Sequence, residues 1–305
     1  MRTTLTAFGV VLVLAASAFA GELKPAQFRA DANVVLINAT VLDARNRPVR
    51  GLTRERFRIF EDKKEQSIAY FAEEDAPLSI AFVFDVSGSL YGKLDASRSA
   101  LDAIVRNAEI EDELALITFA DRVRVATPWT TTPEEIRNRV LFDSAHGQTA
   151  LLDAVENAAT YMKRAGHPRK ALVIFSDGGD NRSRFSEGEV LRLLDEAGIA
   201  IYAVDTTESL NSRARSPEEV AGPDLLERLC DHAGGRYFHA DGNRELAAAA
   251  EQISRELHSQ YLIGYVPPSD ANDGRFHHVH VQVKRAEGAH KLAVFWRRGY
   301  RAPAE

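Results

Sequence analysis

The sequence predicts an α/β fold, in which a doubly wound, mostly parallel sheet is joined to a smaller β accessory module. Two observations carry this prediction. From residue 79 to about residue 260, apolar runs of strand length alternate with helical patterns, which is typical of a parallel sheet covered by helices on both faces. Before and after this region the apolar residues alternate with polar ones between turn-prone segments, which indicates antiparallel strands.

Residues 1–20 have the features of a secretory signal peptide. Arg2 supplies a positive charge, residues 7–16 are apolar apart from one glycine, and Ala18-Phe19-Ala20 fits a cleavage site between small residues. The apolar run is short for a membrane span, and small residues rather than basic ones follow it. We therefore predict export to the periplasm or the extracellular space, cleavage near Ala20, and a mature chain without a membrane span.

The rest of the chain divides into three predicted regions. Residues 21–76 form an N-terminal β segment, with strand patterns such as "NVVLINATVLD" and "QSIAYFAEE". Residues 77–260 form the α/β domain, and residues 261–305 form a C-terminal β segment that includes "HHVHVQV". Neither terminal segment is long enough to enclose a core of its own. We expect the two segments to pack together as one accessory module.

Within the α/β domain the elements follow from the apolar period. Strand candidates lie at 79–84, 113–119, 171–176, 199–205 and 235–239, and helical patterns lie at 95–108, 149–165, 186–197, 223–232 and 243–260. The segment "RVRVATPWT" predicts an edge strand, and a helix should begin at Pro133. Asp95 is predicted to cap the helix "DASRSALDAIV".

Composition excludes some classes of protein. The chain carries 44 acidic against 38 basic residues, a formal net charge of −6, whereas nucleic-acid binding calls for a basic face. The single cysteine, Cys230, excludes an internal disulfide. It lies four residues after Leu226 in a helical pattern, so we predict a buried side chain rather than a reactive thiol.

Oxygen-bearing side chains follow the apolar strands of the α/β domain. Asp85, Ser87 and Ser89 come directly after the first strand, Asp177 follows the strand at 171–176, and Thr149 lies where a loop enters a helix. In an open parallel sheet the ligand crevice lies outside the carboxyl ends of the strands, so these five side chains should converge. Carboxylate and hydroxyl oxygens suit Mg²⁺, with Mn²⁺ or Ca²⁺ as alternatives, better than zinc.

At these residues the chain resembles the von Willebrand factor A (VWFA) family. That family carries a metal-ion-dependent adhesion site (MIDAS) made of D-x-S-x-S, a downstream Thr and a downstream Asp; here these are Asp85-Val86-Ser87-Gly88-Ser89, Thr149 and Asp177. The resemblance covers about residues 79–258 and implies a Rossmann-like fold. It also implies that Ser87, Ser89 and Thr149 coordinate a divalent cation directly, and that the two aspartates bind it directly or through water. The flanking β segments are similar to those of bacterial exported VWFA-related proteins.

Catalytic functions are less consistent with the same residues. A haloacid-dehalogenase-like phosphatase would need a second carboxylate at Ser87, and a serine hydrolase would need glycines where Asp85 and Ser89 stand. A phosphate-binding loop is also absent, because no Gly-Lys-Ser/Thr follows Gly88 or Gly92. We therefore predict a protein that is not an enzyme, with a metal-dependent hydrolase as the remaining catalytic alternative.

Two other polar segments are open to a functional and to a plain interpretation. Asp180, Asn181, Arg182 and Arg184 would rim the metal site and contact a partner, or form an ordinary polar loop. In "FHHVHVQV", His278 and His280 share one strand face and could bind zinc, but no third ligand is evident nearby; His277 points the other way. A solvated strand face is the interpretation that we favour.

The sequence thus predicts an exported, non-catalytic binding or adhesion protein. Its divalent cation would keep one coordination position for an Asp or Glu of a protein partner. The alternative from a different class is a structural or assembly factor, in which the metal holds the loops together and the β module makes the contacts.

Overall fold

A six-stranded sheet forms the centre of the α/β domain in the computed structural model. The structure describes residues 34–74, 76–206, 216–268, 273–284 and 291–303, apart from the side chain of Glu74; the predicted signal peptide therefore lies outside the described residues. The strands are β5 (Leu78–Asp85), β6 (Glu113–Phe119), β7 (Val123–Thr130), β8 (Arg169–Ser176), β9 (Ala200–Asp205) and β10 (Tyr237–His239). Their order is β10-β9-β8-β5-β6-β7. All neighbours are parallel except β7, the predicted edge strand, which runs antiparallel to β6.

Helices cover both faces of this sheet, which confirms the predicted fold class. They are α1 (Leu94–Arg106), α2 (Pro133–Val140), α3 (Leu151–Tyr161), α4 (Glu187–Ala197), α5 (Pro217–Ala233) and α6 (Asn243–Leu257). All eight residues of β5 are buried. Phe82 and Phe84 face a core that includes α1, α2 and α6, whereas Ala81 and Val83 face a second core that includes α3, α4 and α5. The apolar run of β5 is continuous because both of its faces are covered.

Two helix starts differ from the sequence prediction. Helix α5 begins at Pro217 rather than near residue 223, because Ser216 and Glu219 form a capping box and Pro223 is accommodated inside the helix. Asp95 is not the cap of α1: the cap position is Lys93, and Asp95 lies in the first turn, where its carboxylate pairs with Arg98 at 2.7 Å. A 3₁₀ turn directly before Tyr91 brings the chain into the helix early, so that the cap position precedes Asp95.

Strands from the two ends of the chain pair with one another in two four-stranded antiparallel sheets. The first sheet has the order β13-β1-β11-β4 and the second has the order β14-β12-β2-β3. The N-terminal strands are β1 (Val35–Leu42), β2 (Phe57–Glu61), β3 (Lys64–Gln66) and β4 (Ile68–Glu74), and the C-terminal strands are β11 (Gln260–Tyr265), β12 (Phe276–Val283), β13 (Ala293–Trp296) and β14 (Gly299–Arg301). One apolar core contains side chains from both sheets, among them Ile37, Ile59, Ile263 and Val281.

Polar contacts fasten these sheets to the α/β domain. The Arg50 guanidinium donates to the carbonyl of His258 at 2.6 Å and to Ser259 Oγ at 3.0 Å, directly before β11 begins. Arg298, which directly precedes β14, pairs with the Asp231 carboxylate of α5 at 2.8 Å.

Cys230 is buried as predicted, and burial raises the pKa of its thiol. Among the described residues, no helix combines the length and the apolar character that crossing a membrane requires.

A buried ion pair at the amino-terminal end of β5 links the start of that strand to the end of α6. His258 Nε2 lies 2.9 Å from Asp112 Oδ2, and Asp112 also accepts hydrogen bonds from the amides of Leu78 and Glu109. Burial disfavours the charge on Asp112, but the hydrogen bonds from His258 and from the amides outweigh it and lower the pKa. Burial likewise disfavours the charge on His258, but the bond to Asp112 raises the pKa overall. The pair is therefore charged over a wider pH range than free side chains would allow.

We expect His258→Gln to reduce the pH dependence of stability in the neutral range. A raised histidine pKa stabilises the fold fully below the ordinary histidine pKa, and this contribution is lost as the pH rises through the raised value. The variant should lose about 1–3 kcal/mol of unfolding free energy near pH 6 and less near pH 8. Urea unfolding at both pH values measures this, with the exposed His280→Gln as the matched control. An equal loss at both pH values would contradict the assignment.

Candidate metal site

The carboxylate of Asp85, one of the predicted ligands, is completely buried. Asp85 ends β5 with no exposed surface, and the two parallel neighbours β6 and β8 lie on either side of that strand. Its Oδ1 accepts the amide hydrogen of Ser87 at 2.8 Å, and its Oδ2 accepts the hydroxyl of Ser176 at 2.6 Å. The side chain is therefore held in one orientation by the residue two positions along the chain and by the end of β8.

The two serines of the motif lie side by side at the same edge. Ser87 is fully buried, Ser89 is half-buried, and their Oγ atoms are 3.1 Å apart. Between them, the amide of Gly88 donates to the carbonyl of Gly147 at 3.1 Å. This bond ties the D-x-S-x-S turn to the loop that carries Thr149.

The Thr149 loop is fixed by hydrogen bonds from several directions. The amide of Thr149 donates to Asn181 Oδ1 at 2.9 Å, and its carbonyl accepts from the amides of Asn181 and Arg182. The next amide, that of Ala150, donates to the carbonyl of Ala120 just beyond β6. Thr149 is only 4% exposed, so its side chain is buried within this loop.

Asp177 lies in the first loop position after β8 and is 4% exposed. Its Oδ1 accepts the amide hydrogen of Gly179 at 3.2 Å. The loop makes a close approach to α5: a Cβ on Gly178, whose φ is +77°, would lie 2.3 Å from the carbonyl oxygen of Gly222. Glycine at both positions allows the loop and the helix backbone to touch.

The electrostatics of the site favour a cation. Burial, and next the negative charge of Asp177, raise the pKa of Asp85 to about 7, against hydrogen bonds from Ser176 and Ser87 that lower it. None of the causes is a positive charge, and the two carboxylates repel one another. A divalent cation would offset both charges, and the neighbouring hydroxyls are the kind of ligand that Mg²⁺ accepts. The residues present therefore fit such an ion.

The structure separates the four predicted rim residues into two pairs. Asn181 accepts the hydrogen bond from the Thr149 amide, and Asp180 Oδ1 accepts hydrogen bonds from the amide of Leu151 at 3.1 Å and from Ser183 Oγ at 2.6 Å. These two side chains thus orient the Thr149 loop. Arg182 and Arg184 are exposed, as is Asn181, but neither arginine side chain contacts the Thr149 loop in the hydrogen bonds described above.

A polar cleft lies beside the Thr149 loop. Its volume is about 660 Å³ and its lining includes three acidic and three basic residues: Asp121, Asp153, Glu156, Arg122, Arg182 and Arg184. Arg184 Nε donates to Asp153 Oδ2 at 3.1 Å. Because the charges are balanced, the cleft by itself does not select a partner of one sign.

Sequence reasoning missed two residues that shape the site. Ser176 holds Asp85 and also accepts the amide hydrogen of Gly178, whereas Asp121 Oδ1 accepts the amide hydrogen of Gln148 at 3.0 Å. Ser176 stands next to Asp177 at a strand end, which is a signal that could have been used. Asp121 lies 27 residues before Gln148, so no local pattern connects them.

We expect Gly147→Ala to destabilise the Thr149 loop. Gly147 has φ +71°, and a Cβ there would lie 2.0 Å from Asp121 Oδ2. Gly51→Ala is the matched control, because Gly51 has φ +72° and nothing within 4 Å of the added atom. The control should lose only the backbone cost of about 1–2 kcal/mol, and Gly147→Ala should lose a further 1–3 kcal/mol or so in urea unfolding. Equal losses of unfolding free energy in the two variants would mean that the loop accommodates the added methyl group without cost.

Comparisons with known proteins identify a similar domain family and similar folds. Residues 80–179 match the family model "von Willebrand factor type A domain". Inter-alpha-trypsin inhibitor heavy chain H3 of Bos taurus is 24% identical over 213 residues, which are 62% of this chain and 23% of that protein. The chain thus spans about a quarter of the length of this relative.

Similar solved structures share the fold. A von Willebrand factor type A protein from Catenulispora acidiphila has 13% identity and a TM-score of 0.50, and the match covers 91% of this chain and 76% of that chain. Proximal thread matrix protein 1 (PTMP1) from the mussel byssus has 20% identity and a TM-score of 0.52, covering 65% of this chain and 51% of that chain. A further structure of PTMP1, described as having a zinc-occupied MIDAS motif, has a TM-score of 0.51, again with 20% identity, and covers 65% and 49%. The segment of this chain from Ile80 to Gly179 is thus similar in sequence to the von Willebrand factor type A domain, and the chain shares its fold with the structures above.

Proposed function

We propose that this protein binds a protein partner through a divalent cation at the carboxyl edge of the central sheet. The observation that carries the proposal is the pair of buried carboxylates, Asp85 and Asp177, beside the adjacent hydroxyls of Ser87 and Ser89. In this proposal Ser87, Ser89 and Thr149 hold the cation, and the two aspartates orient it and offset its charge. Mg²⁺ is the ion that we favour, with Mn²⁺ or Ca²⁺ as alternatives.

The partner would contribute an Asp or Glu carboxylate. Two ionised aspartates bring the charge of a divalent ion close to zero, and the other ligands are neutral hydroxyls. A cation held in this way would supply one further coordination position for a carboxylate oxygen of the partner. The zinc-occupied MIDAS motif of PTMP1 supports the view that a domain of this fold can hold a divalent ion.

The setting of this site is also part of the proposal. We propose that the protein is exported after loss of residues 1–20, that residues 77–260 carry the binding site, and that the segments 21–76 and 261–305 form the accessory module. We place no catalytic step at the site. The hydroxyl of Ser87 lies 3.1 Å from that of Ser89 and hydrogen-bonds to the Asp85 carboxylate, an arrangement of oxygen atoms that supports ion binding.

The test is partner capture from the exported fraction, with the protein in its metal-loaded form. Binding should be lost with a chelator and restored by Mg²⁺. Thr149→Ala should weaken binding at least about tenfold, since its backbone contacts remain while one hydroxyl ligand is removed. Neutralising one acidic residue of the captured partner should have an effect of similar size.

The exposed Thr131→Ala serves as the matched control for Thr149→Ala. A partner that binds equally well in chelator and to the Thr149→Ala protein would contradict the proposal. Such a result would favour the alternative function, a structural or assembly factor whose β module makes the contact.

A further inference from the structure

A second cluster of metal-ligating side chains lies in the β sheets, at the turn between β2 and β3. Asp62 and Lys63 form this turn with φ values of +45° and +71°. The turn is fastened to β12: the Asp62 amide donates to the carbonyl of His278 at 2.9 Å, and the His278 amide donates to Asp62 Oδ1 at 3.0 Å. The other carboxylate oxygen of Asp62 is thereby directed at His277, on the face of β12 opposite to His278.

Three potential ligand atoms meet at this place. His277 Nδ1 lies 2.8 Å from Asp62 Oδ2 and 3.6 Å from Glu61 Oε1, and one ligand atom from each of the three residues lies within 4.8 Å of the others. Two ligands that are each about 2.0–2.1 Å from a tetrahedral ion stand about 3.4 Å apart. The two distances from Nδ1 bracket that separation, so small side-chain shifts would suffice to admit an ion.

The outer contacts are those that support a metal-bound histidine. His277 Nε2 lies 3.1 Å from Asp273 Oδ1, which would hold the proton on that nitrogen. Nδ1, which hydrogen-bonds to Asp62 Oδ2 in this structure, would release its own proton on binding an ion. The ring of Tyr300 stacks on the imidazole with 5.5 Å between the centroids, and the Tyr300 hydroxyl donates to Glu61 Oε2 at 3.3 Å. Both the histidine and the buried glutamate are therefore oriented by second partners.

The glutamate of this cluster lies in a buried position. Tyr265 is fully buried beside Glu61, and Glu61 itself is only 4% exposed. A cation bound here would offset the charge of this buried carboxylate.

We propose that Glu61, Asp62 and His277 bind a transition-metal cation of the Zn²⁺ type, with Asp273 and Tyr300 as supporting residues. The mixed nitrogen and carboxylate ligands suit Zn²⁺ better than Mg²⁺ or Ca²⁺, which prefer oxygen alone. This site is separate from the one around Asp85. Its ion would join the β2–β3 turn to β12 and so fasten the N-terminal strands to the C-terminal ones.

The experiment measures Zn²⁺ affinity of the full chain by competition with a chromophoric chelator, in excess Mg²⁺ to occupy the site around Asp85. The wild-type protein should bind one Zn²⁺ under these conditions, with a rise in unfolding temperature. Asp62→Asn and His277→Gln should lower the Zn²⁺ affinity at least about 100-fold, and Asp273→Asn about 10–100-fold. Asp62→Asn keeps the oxygen that accepts from His278, and asparagine tolerates a positive φ, so this variant should fold.

His280→Gln, an identical change on the exposed face of the same strand, is the control and should bind Zn²⁺ as the wild type does. The proposal is overturned if no Zn²⁺ binds in excess Mg²⁺, or if Asp62→Asn and His277→Gln bind it unchanged. It is also overturned if Asp85→Ala removes the bound Zn²⁺, because the ion would then belong to the other site.

Discussion

Replacing Asp85 with alanine is expected to abolish Mg²⁺ binding at the edge of the central sheet. The change removes one of two buried negative charges and also the oxygen that fixes the amide of Ser87 at 2.8 Å. Loss of a supporting residue alone typically costs 10–100-fold in metal affinity, so loss of this carboxylate should cost about 100-fold or more. Isothermal calorimetry of the wild type and the variant measures the effect.

The metal-free fold should survive this substitution. Burial and the charge of Asp177 both oppose ionisation of Asp85, so its removal relieves an unfavourable charge as well as losing hydrogen bonds. Asp95→Ala is the matched control, since that side chain is 94% exposed on α1 and pairs only with Arg98 in the described part of the chain. Unchanged Mg²⁺ affinity in the folded Asp85→Ala protein would remove the basis of the proposed function.

The central sheet was predictable because the apolar pattern of each strand reflects which of its faces are buried. Strand β5 is buried on both faces and therefore reads as an unbroken apolar run, and the polar residues that end it mark the carboxyl edge. The positions of Asp85 and Asp177 after two neighbouring strands follow from that edge alone. Their burial and the repulsion between them required the structure, since both depend on how α5 and the loops close over the site.

What the sequence could not supply were contacts between distant residues. Asp180 and Asn181 accept backbone hydrogen bonds from a loop about 30 residues earlier, and nothing in the sequence around them predicts these contacts. His277 faces Asp62 because β12 pairs with β2, with Val279 opposite Glu61. That register joins residues 215 apart, and no local period in either segment predicts it. His278 and His280 are exposed, which agrees with the solvated strand face favoured from the sequence.

Deleting residues 21–75 is expected to unfold the C-terminal strands. In its sheet, β11 lies between β1 and β4, both of which the deletion removes, and in the other sheet β12 loses β2 and keeps only the three-residue strand β14. The shared core would also lose Ile37 and Ile59, two fully buried side chains. A sheet that has lost its neighbouring strands and half of its apolar core is not stable alone.

Limited proteolysis of the deleted and the full chain measures this effect. Cleavage within residues 261–303 should become faster by orders of magnitude, because the open form is then the dominant one. A shorter deletion that stops at residue 33, before β1, is the control and should leave the cleavage rate unchanged. The α/β domain should stay resistant in both proteins, because the neighbours of β5 are β6 and β8 and neither is removed. If residues 261–303 remained as resistant as in the full chain, the two ends would fold separately, and the pairing of β11 with β1 and β4 would contribute little to their stability.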